Sequence, residues 1–374
     1  MKNLRIIVLI LFTSFYLHSN DSVYYASGNH LIPIIETDIS VKKEVLSIVR
    51  IDNNNLEVTV DYEFYNPTKE KQLLVGFEAP QAYPSVDISD KNGQHPYISN
   101  FNVVVNGIET DHQTAMVSDS NYYVNNAIIE KPEEEIIAES LEMEAANFYY
   151  VYYFNAIFKN GINKIRHKYR FRLSESVMGP YHFDYILTAA NRWANNGIDD
   201  FTLKIDMGEF QEYNIPKTFF DNIHDWEIDG SLCETKPNSD IRTHRPSMTV
   251  YVNEGPVVFK KKNFKPKGEL NLYTLSDLNA RKKTTFDHIK DDLPFMIGSE
   301  FHFKNSANEE SFKVLRNLPY ARRGFMFQTK IIQEYYESQP WYKSSPEYEV
   351  DLEEITSKEL EWLEIIKQNE WVKN

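Results

Sequence analysis

The sequence predicts an α+β, multi-domain protein: an N-terminal antiparallel β-sandwich, or two fused ones, followed by a small, mainly α-helical domain. Three observations carry this expectation. Segments with apolar residues at every second position recur along the chain, with Gly, Asn and Pro between them, as at Asn106-Gly107, Asn160-Gly161 and Gly179-Pro180. Aromatics are abundant, with Tyr 24 and Phe 23, which suits half-buried sheet surfaces better than a helical bundle. Helix caps and helical spacing gather near the C-terminus. A length of 374 residues at 42% hydrophobic content allows about two domains, each with its own core.

Taken in order, residues 1–20 read as a signal peptide. Lys2 and Arg5 precede an apolar run from Ile6 to Leu17, and polar His18-Ser19-Asn20-Asp21 follows. The run is shorter than the roughly 20 residues of a spanning helix, so no stable transmembrane span is expected after its removal. An exported protein, periplasmic or extracellular, is therefore expected. Cys233 is the only cysteine, which rules out an internal disulfide and leaves packing to hold the fold.

Residues 21–275 form the expected sandwich. Strands are predicted at Ile39–Leu46, Leu56–Phe64, Gln72–Phe77, Phe101–Val105, Phe148–Phe158, Lys164–Leu173, Tyr181–Ala189, Phe201–Met207, Met248–Val252 and Leu270–Tyr273. The acidic stretch over 130–147 has Pro132 near its start and Ile137, Leu141 and Ala145 at helical spacing, so it is expected as a helical excursion. Residues 276–295, charged and without periodicity, are the expected linker.

The helical domain spans 296–374. Ser306 with Glu309, and Thr356 with Glu359, have the spacing of capping boxes. Ile355 is expected to staple onto Leu360, with Leu360, Leu363, Ile365 and Ile366 as the buried face of the last helix. Between these boxes, the pre-proline rule places Leu318 in extended backbone and lets Pro319 open a single turn, Tyr320–Arg323, ended by Gly324 as a left-handed residue. Thr329 then opens a helix to Ser338 with Ile331, Ile332, Tyr335 and Tyr336 on its apolar face, and Pro340 ends it before Trp341-Tyr342.

This last region resembles the YARHG domain, a small bacterial exported module. The motif reads Tyr320, Ala321, Arg322, Arg323, Gly324, preceded by Arg316-Asn317 and followed by Trp341-Tyr342 in family order. Arg323 stands where the family has histidine. The resemblance covers roughly 301–367 and implies a fold and an exported setting but no activity. More loosely, the N-terminal part is similar to an uncharacterised family of exported β-rich bacterial proteins, through Ile39-Ser40, Glu44, Leu46 to Ile48, Val60 to Pro67, Phe77 to Pro80 and Thr188 to Trp193.

A formal charge of −15 argues against nucleic acid as a partner. Against that background the strand Lys164, Arg166, Lys168, Arg170, Arg172 is a basic ribbon about 27 Å long. The ordinary account pairs it with Glu57, Asp61 and Glu63 or with the acidic helix, and the functional one makes it an anion-binding face. In the C-terminal motif, Arg316, Tyr320, Arg322, Arg323, Trp341 and Tyr342 have the composition of a binding patch, and equally that of a small core with arginines on helix-end carbonyls. His182 and Asp184 share a strand face, the most plausible place in the sandwich for a hydrolase site. His224, Asp225 and His244 lack metal-site spacing, and Asp87, Asp90 and Asn92 read as a hairpin turn before Gly93. No G-x-S-x-G, HExxH, P-loop or GxGxxG occurs. The sequence thus points to a non-enzymatic exported protein with no cofactor or metal, whose partner is an unnamed envelope ligand or protein, and with an envelope hydrolase as the alternative.

Overall fold

The computed structural model describes residues 30–33, 37–80, 95–117, 122–125, 127–136, 138, 148–176, 179–234, 246–274, 284–297, 303 and 305–368. The expected signal peptide, the turn of Asp87, Asp90 and Asn92, His244, and most of the acidic stretch lie outside them. Of that stretch, residues 133–136 and 138 are helical.

Two sheets enclose the main core. One has 12 strands and runs from Ser174–Ser176 at one edge, through Gly179–Tyr185, Leu270–Tyr273, Gln211–Pro216, Ser247–Phe264, Ile198–Asp206, Ser40–Arg50, Asn55–Asn66, Gly161–Arg172 and Ile98–Val105, to Ile108–Glu109, with Trp226–Glu234 also on Ser247–Phe264. The other has four: His30–Pro33, Lys71–Pro80, Tyr149–Phe158 and Gln113–Val117. Leu56, Val58, Val60, Tyr62 and Phe64, the alternate residues of one strand, are all buried between them, as period-two patterning requires.

One pairing departs from the antiparallel expectation, since Ile198–Asp206 runs parallel to Ser40–Arg50. A parallel neighbour needs a long crossover, and the whole chain between these strands supplies it. The strand expected over Tyr181–Ala189 ends at Tyr185, and Thr188–Arg192 is a 3-10 turn that brings the buried Trp193 ring to 4.4 Å from Phe64. The strand expected at Met248–Val252 extends from Ser247 to Phe264.

A β-bulge between Val41 and Lys43 shifts the register of the Ser40–Arg50 strand. The extra residue reverses the inside–outside alternation. Val41 faces the core before it, whereas Glu44, Leu46 and Ile48 do so after it, and Lys43 turns out to solvent. Glu44 is consequently a wholly buried carboxyl, cross-strand from Tyr62. Burial drives its pKa well above the usual range, because the charged form would lose its hydration there.

Among its described residues the C-terminal module has three α-helices, Glu309–Arg322, Lys330–Glu337 and Ser357–Gln368. Its core includes Phe286, Leu293 and Phe295, and Thr285–Phe286 pairs with Asn305–Ser306. From Thr285 onward, then, the stretch expected as a linker is packed structure, because its scattered aromatics have an apolar surface to join.

Pro319 does not open a separate turn, as it lies inside the first helix. A proline deprives the carbonyl four residues back of its N–H partner. That carbonyl, Leu315 O, accepts instead from the indole Nε1 of Trp362 on the last helix, at 3.2 Å. The proline thereby creates the acceptor that fixes the two helices together. Asn308, rather than Ser306, caps this helix, its side chain accepting from Ser311 N at 2.8 Å, because Ser306 is taken into the short strand. The second box forms as expected: Thr356 N donates to Glu359 at 2.9 Å and Glu359 N to Thr356 Oγ1 at 3.3 Å. The last helix is turned from its expected face. Glu359, Trp362 and Ile366 are buried, while Ile365 and Leu360, the expected partner of the buried Ile355, are exposed. In the middle helix Ile332, Tyr335 and Tyr336 are buried and Ile331 is exposed.

Candidate functional site

Three places gather the residues singled out by chemistry. The first is the end of the Glu309–Arg322 helix. Gly324 has φ +82°, its N–H donates to Ala321 O, and Phe325 N–H reaches back to Tyr320 O at 3.1 Å. These two bonds make a Schellman ending with glycine at its left-handed position. The ending places Arg322 and Arg323 side by side against Glu359. Arg322 Nη1 donates to Glu359 Oε1 at 3.0 Å, and Arg323 Nη1 and Nη2 donate to Oε1 and Oε2 at 2.9 Å each. Arg323 also bonds Pro319 O and Glu354 O.

Rings close this clamp. The Arg322 guanidinium lies 3.9 Å and that of Arg323 4.6 Å from the centre of the Phe210 ring, with Phe295 5.3 Å from Arg322. Planar cations stack well on aromatic faces. Phe210 comes from the sandwich and adopts φ +49°, a conformation that costs a bulky residue energy. Burial pulls the pKa of Arg322 down to about 9, against the pull of the Glu359 charge. Burial pushes the Glu359 carboxyl up, but the Arg323 hydrogen bonds and the Arg322 charge outweigh it and leave the group below its usual value.

The remaining members of the expected patch are also mostly internal. Trp341 is buried, its carbonyl accepts from Ser231 Oγ at 3.2 Å, and Pro340 O accepts from Cys233 Sγ at 3.3 Å. Tyr342 OH donates to Phe325 O at 2.8 Å, and Tyr320 is half-buried beside Phe325. Arg316 alone is exposed, above the Phe312 ring. Sequence reasoning missed Phe210 and Phe295 altogether. It found Glu359 only as a capping residue, since nothing local ties it to arginines 36 and 37 residues earlier.

Beside the clamp, Glu212 sits cross-strand from Tyr251, with Phe295 N–H as its hydrogen-bond donor. Burial raises its pKa to about 7, partly offset by the Phe295 hydrogen bond. A folded-state value above the unfolded one means that its contribution to stability is full below about pH 4.5 and is lost as pH rises through about 7. Glu212→Gln is expected to raise the melting temperature at pH 8, by on the order of 1–3 kcal/mol of stability, and to change little at pH 4. Thermal unfolding of the two proteins across this range measures it.

The second place is the basic ribbon. Its register puts Lys164 opposite Glu63, Arg166 opposite Asp61 and Arg170 opposite Glu57. Arg166 Nε lies 2.6 Å from Asp61, Lys168 Nζ 2.8 Å from Glu57 and Lys164 Nζ 3.7 Å from Glu63. Arg172 lies over Tyr97. The cross-strand pairing foreseen as the ordinary account is present.

The third place is His182 and Asp184. His182 Nε2 is 2.9 Å from Asp184 Oδ1, which also accepts from Asn271 Nδ2 at 2.7 Å. Both side chains are buried, at 8% and 1% exposure, on the face of the sheet turned away from the main core. His224 stands apart, in the Ile223–Asp225 turn. Among the described residues no group of three or more His, Cys, Asp or Glu is arranged to hold a metal, and no helix is long and apolar enough to cross a membrane.

Residues 299–370 match the family model of the YARHG domain. The C-terminal module is a YARHG domain. Residues 19–126 match a domain of unknown function, DUF4424, which takes in the N-terminal motifs noted above except Thr188 to Trp193. No curated protein matches the chain. Among solved structures, one from Legionella pneumophila subsp. pneumophila str. Philadelphia 1, described provisionally as a nutrient binding protein, aligns over 92% of this chain and 98% of its own, at 15% identity and a TM-score of 0.46. The M1 zinc metallopeptidase of Deinococcus radiodurans aligns over 64% of this chain and 43% of its own, at 8% identity and a TM-score of 0.25. Neither likeness is close enough to transfer a role. In the YARHG domain, Ala321, Arg322 and Gly324 of the motif are helix-end and clamp residues.

Proposed function

We propose that this is an exported binding protein of the cell envelope that performs no chemistry of its own, with its YARHG domain fixed to the sandwich as part of the scaffold. The observation that carries this reading is the burial, among the described residues, of the polar constellations singled out for catalytic potential. The Arg322–Arg323–Glu359 clamp is closed by Phe210, and His182 and Asp184 are covered. The YARHG match supports the exported setting, together with the signal-like first segment. An envelope hydrolase is the second reading, favoured by the 2.9 Å His182–Asp184 contact and the third polar group, Asn271, beside it. The purified protein, offered envelope polymers and a panel of esters, is expected to turn none of them over. Turnover that disappears in His182→Ala or Asp184→Asn would establish the hydrolase instead.

A further inference from the structure

The basic ribbon is not uniform. At its Lys164 end the outer face of the sheet sinks into a hollow of about 350 Å³, lined by Lys43, Asp61, Glu63, Lys164 and Arg166 and walled by Val104 and Gly107. This volume lies at the lower end of pockets that hold small molecules. Register explains the gathering of charge: Lys43, Glu63 and Lys164 are neighbours across three strands, and Asp61, Arg166 and Val104 form the adjacent row.

We infer that this hollow is an oxyanion site, in which Lys43, Lys164 and Arg166 receive the carboxylate or phosphate group of a small molecule. The inference rests on the reading of the protein as a binding protein and supplies its ligand class. Donor capacity is in excess here. Asp61 meets Arg166 through Nε at 2.6 Å, and no other carboxylate among the described residues pairs with that guanidinium, so its terminal nitrogens keep the fork that suits a planar oxyanion. Lys164 Nζ stands 3.7 Å from Glu63, beyond hydrogen-bond length. Lys43 has no carboxylate partner among the described residues. Farther along the ribbon Lys168 meets Glu57 at 2.8 Å, outside the hollow. Lys43 reaches the site only through the bulge before it, and bulges commonly re-aim a side chain beside functional surfaces. Two acidic residues in the wall and a net charge of −15 oppose an anionic polymer, so the ligand is a small molecule.

Calorimetric titration of the whole protein at low ionic strength, with inorganic phosphate, citrate and the neutral control glycerol, tests the site. One or both anions should bind in a 1:1 ratio and glycerol should not; which anion binds identifies the source of the oxyanion. Lys43→Glu should weaken binding about 10-fold or more without lowering the melting temperature. Lys168→Glu, the same charge change outside the hollow, should leave the affinity within about 2-fold, with added salt weakening wild-type binding. Absence of binding by both anions, or equal losses in the two variants, would overturn the site. In either case an inactive hydrolysis panel would leave the wider reading standing.

Discussion

Gly324→Val in the full-length protein is expected to destabilise the YARHG domain by about 3 kcal/mol or more, combining a left-handed backbone closed to β-branched residues with a direct clash. A Cβ at this position would stand 2.4 Å from Lys343 O and 3.1 Å from Ser345 N, and Ser345 N–H is itself held by Gly324 O at 2.8 Å. Backbone on both sides leaves nothing to swing aside. Differential scanning calorimetry should show the lower-melting transition displaced while that of the sandwich stays in place, and an unshifted profile would mean that the helix ending is misplaced. The whole chain is needed, because a fragment from Phe301 onward lacks Phe210, Tyr251, Phe286, Leu293 and Phe295, all members of the module's core. Arg323→His, which restores the family residue and from sequence alone looks neutral, should instead cost on the order of 1–2 kcal/mol in the same experiment, because it removes charge-assisted bonds to Glu359.

Glu359→Ala is expected to be costlier, by about 3–5 kcal/mol, because removing one partner of a buried ion pair strands the other. Here it strands two guanidinium groups, with side-chain exposures of 4% and 9%, and also opens the Thr356 capping box. Limited proteolysis should cut the variant within the last helices at a protease concentration that leaves wild type whole, and equal resistance would refute the clamp. The acid limb of stability follows from the same group. Its folded-state pKa is depressed, so its contribution is present above about pH 4.5 and is lost as pH falls through the folded value. Glu212 acts in the opposite sense, so this interface is weakened at both ends of the pH range.

How much of this was legible depended on whether the cause was local. Leu56–Phe64 and Lys164–Leu173 alternate strictly and were found nearly whole, as was the Thr356–Glu359 box, whose partners are three residues apart. Gln211–Pro216 and Trp226–Glu234 escape a sequence reading because each offers so few alternate apolar residues, Tyr213 and Ile215 in one and Trp226, Ile228 and Leu232 in the other, the last two separated by Gly230. Ser247–Phe264 was cut short because Gly255-Pro256 reads as a break, although the strand there is exposed and continues. Pro319 misled for a related reason: a proline inside a helix is unfavourable in isolation, and the Trp362 indole that compensates it is distant in sequence. For the arginine pair a binding patch and a small core stand equal in the sequence, because Glu359 and Phe210 are brought to it only by the tertiary fold. In the ribbon, alternation alone names Glu57, Asp61 and Glu63 as one possible set of partners, but the bulge that adds Lys43 has no signature in a single sequence.

Phe210 belongs to one half of the chain and completes the core of the other. Along the polypeptide, the ring is made long before the arginines that lie on it, and Gly208, at φ +94° two residues earlier, belongs to the turn that presents it. The final helices therefore settle on a surface that must already exist. A chain whose sandwich is unfinished leaves two cations and a carboxylate without their cover, and its C-terminal segment stays open to proteases. Order of assembly follows from this contact: Arg322, Arg323 and Glu359 are made after the ring that covers them, and they gain that cover only from a finished sandwich.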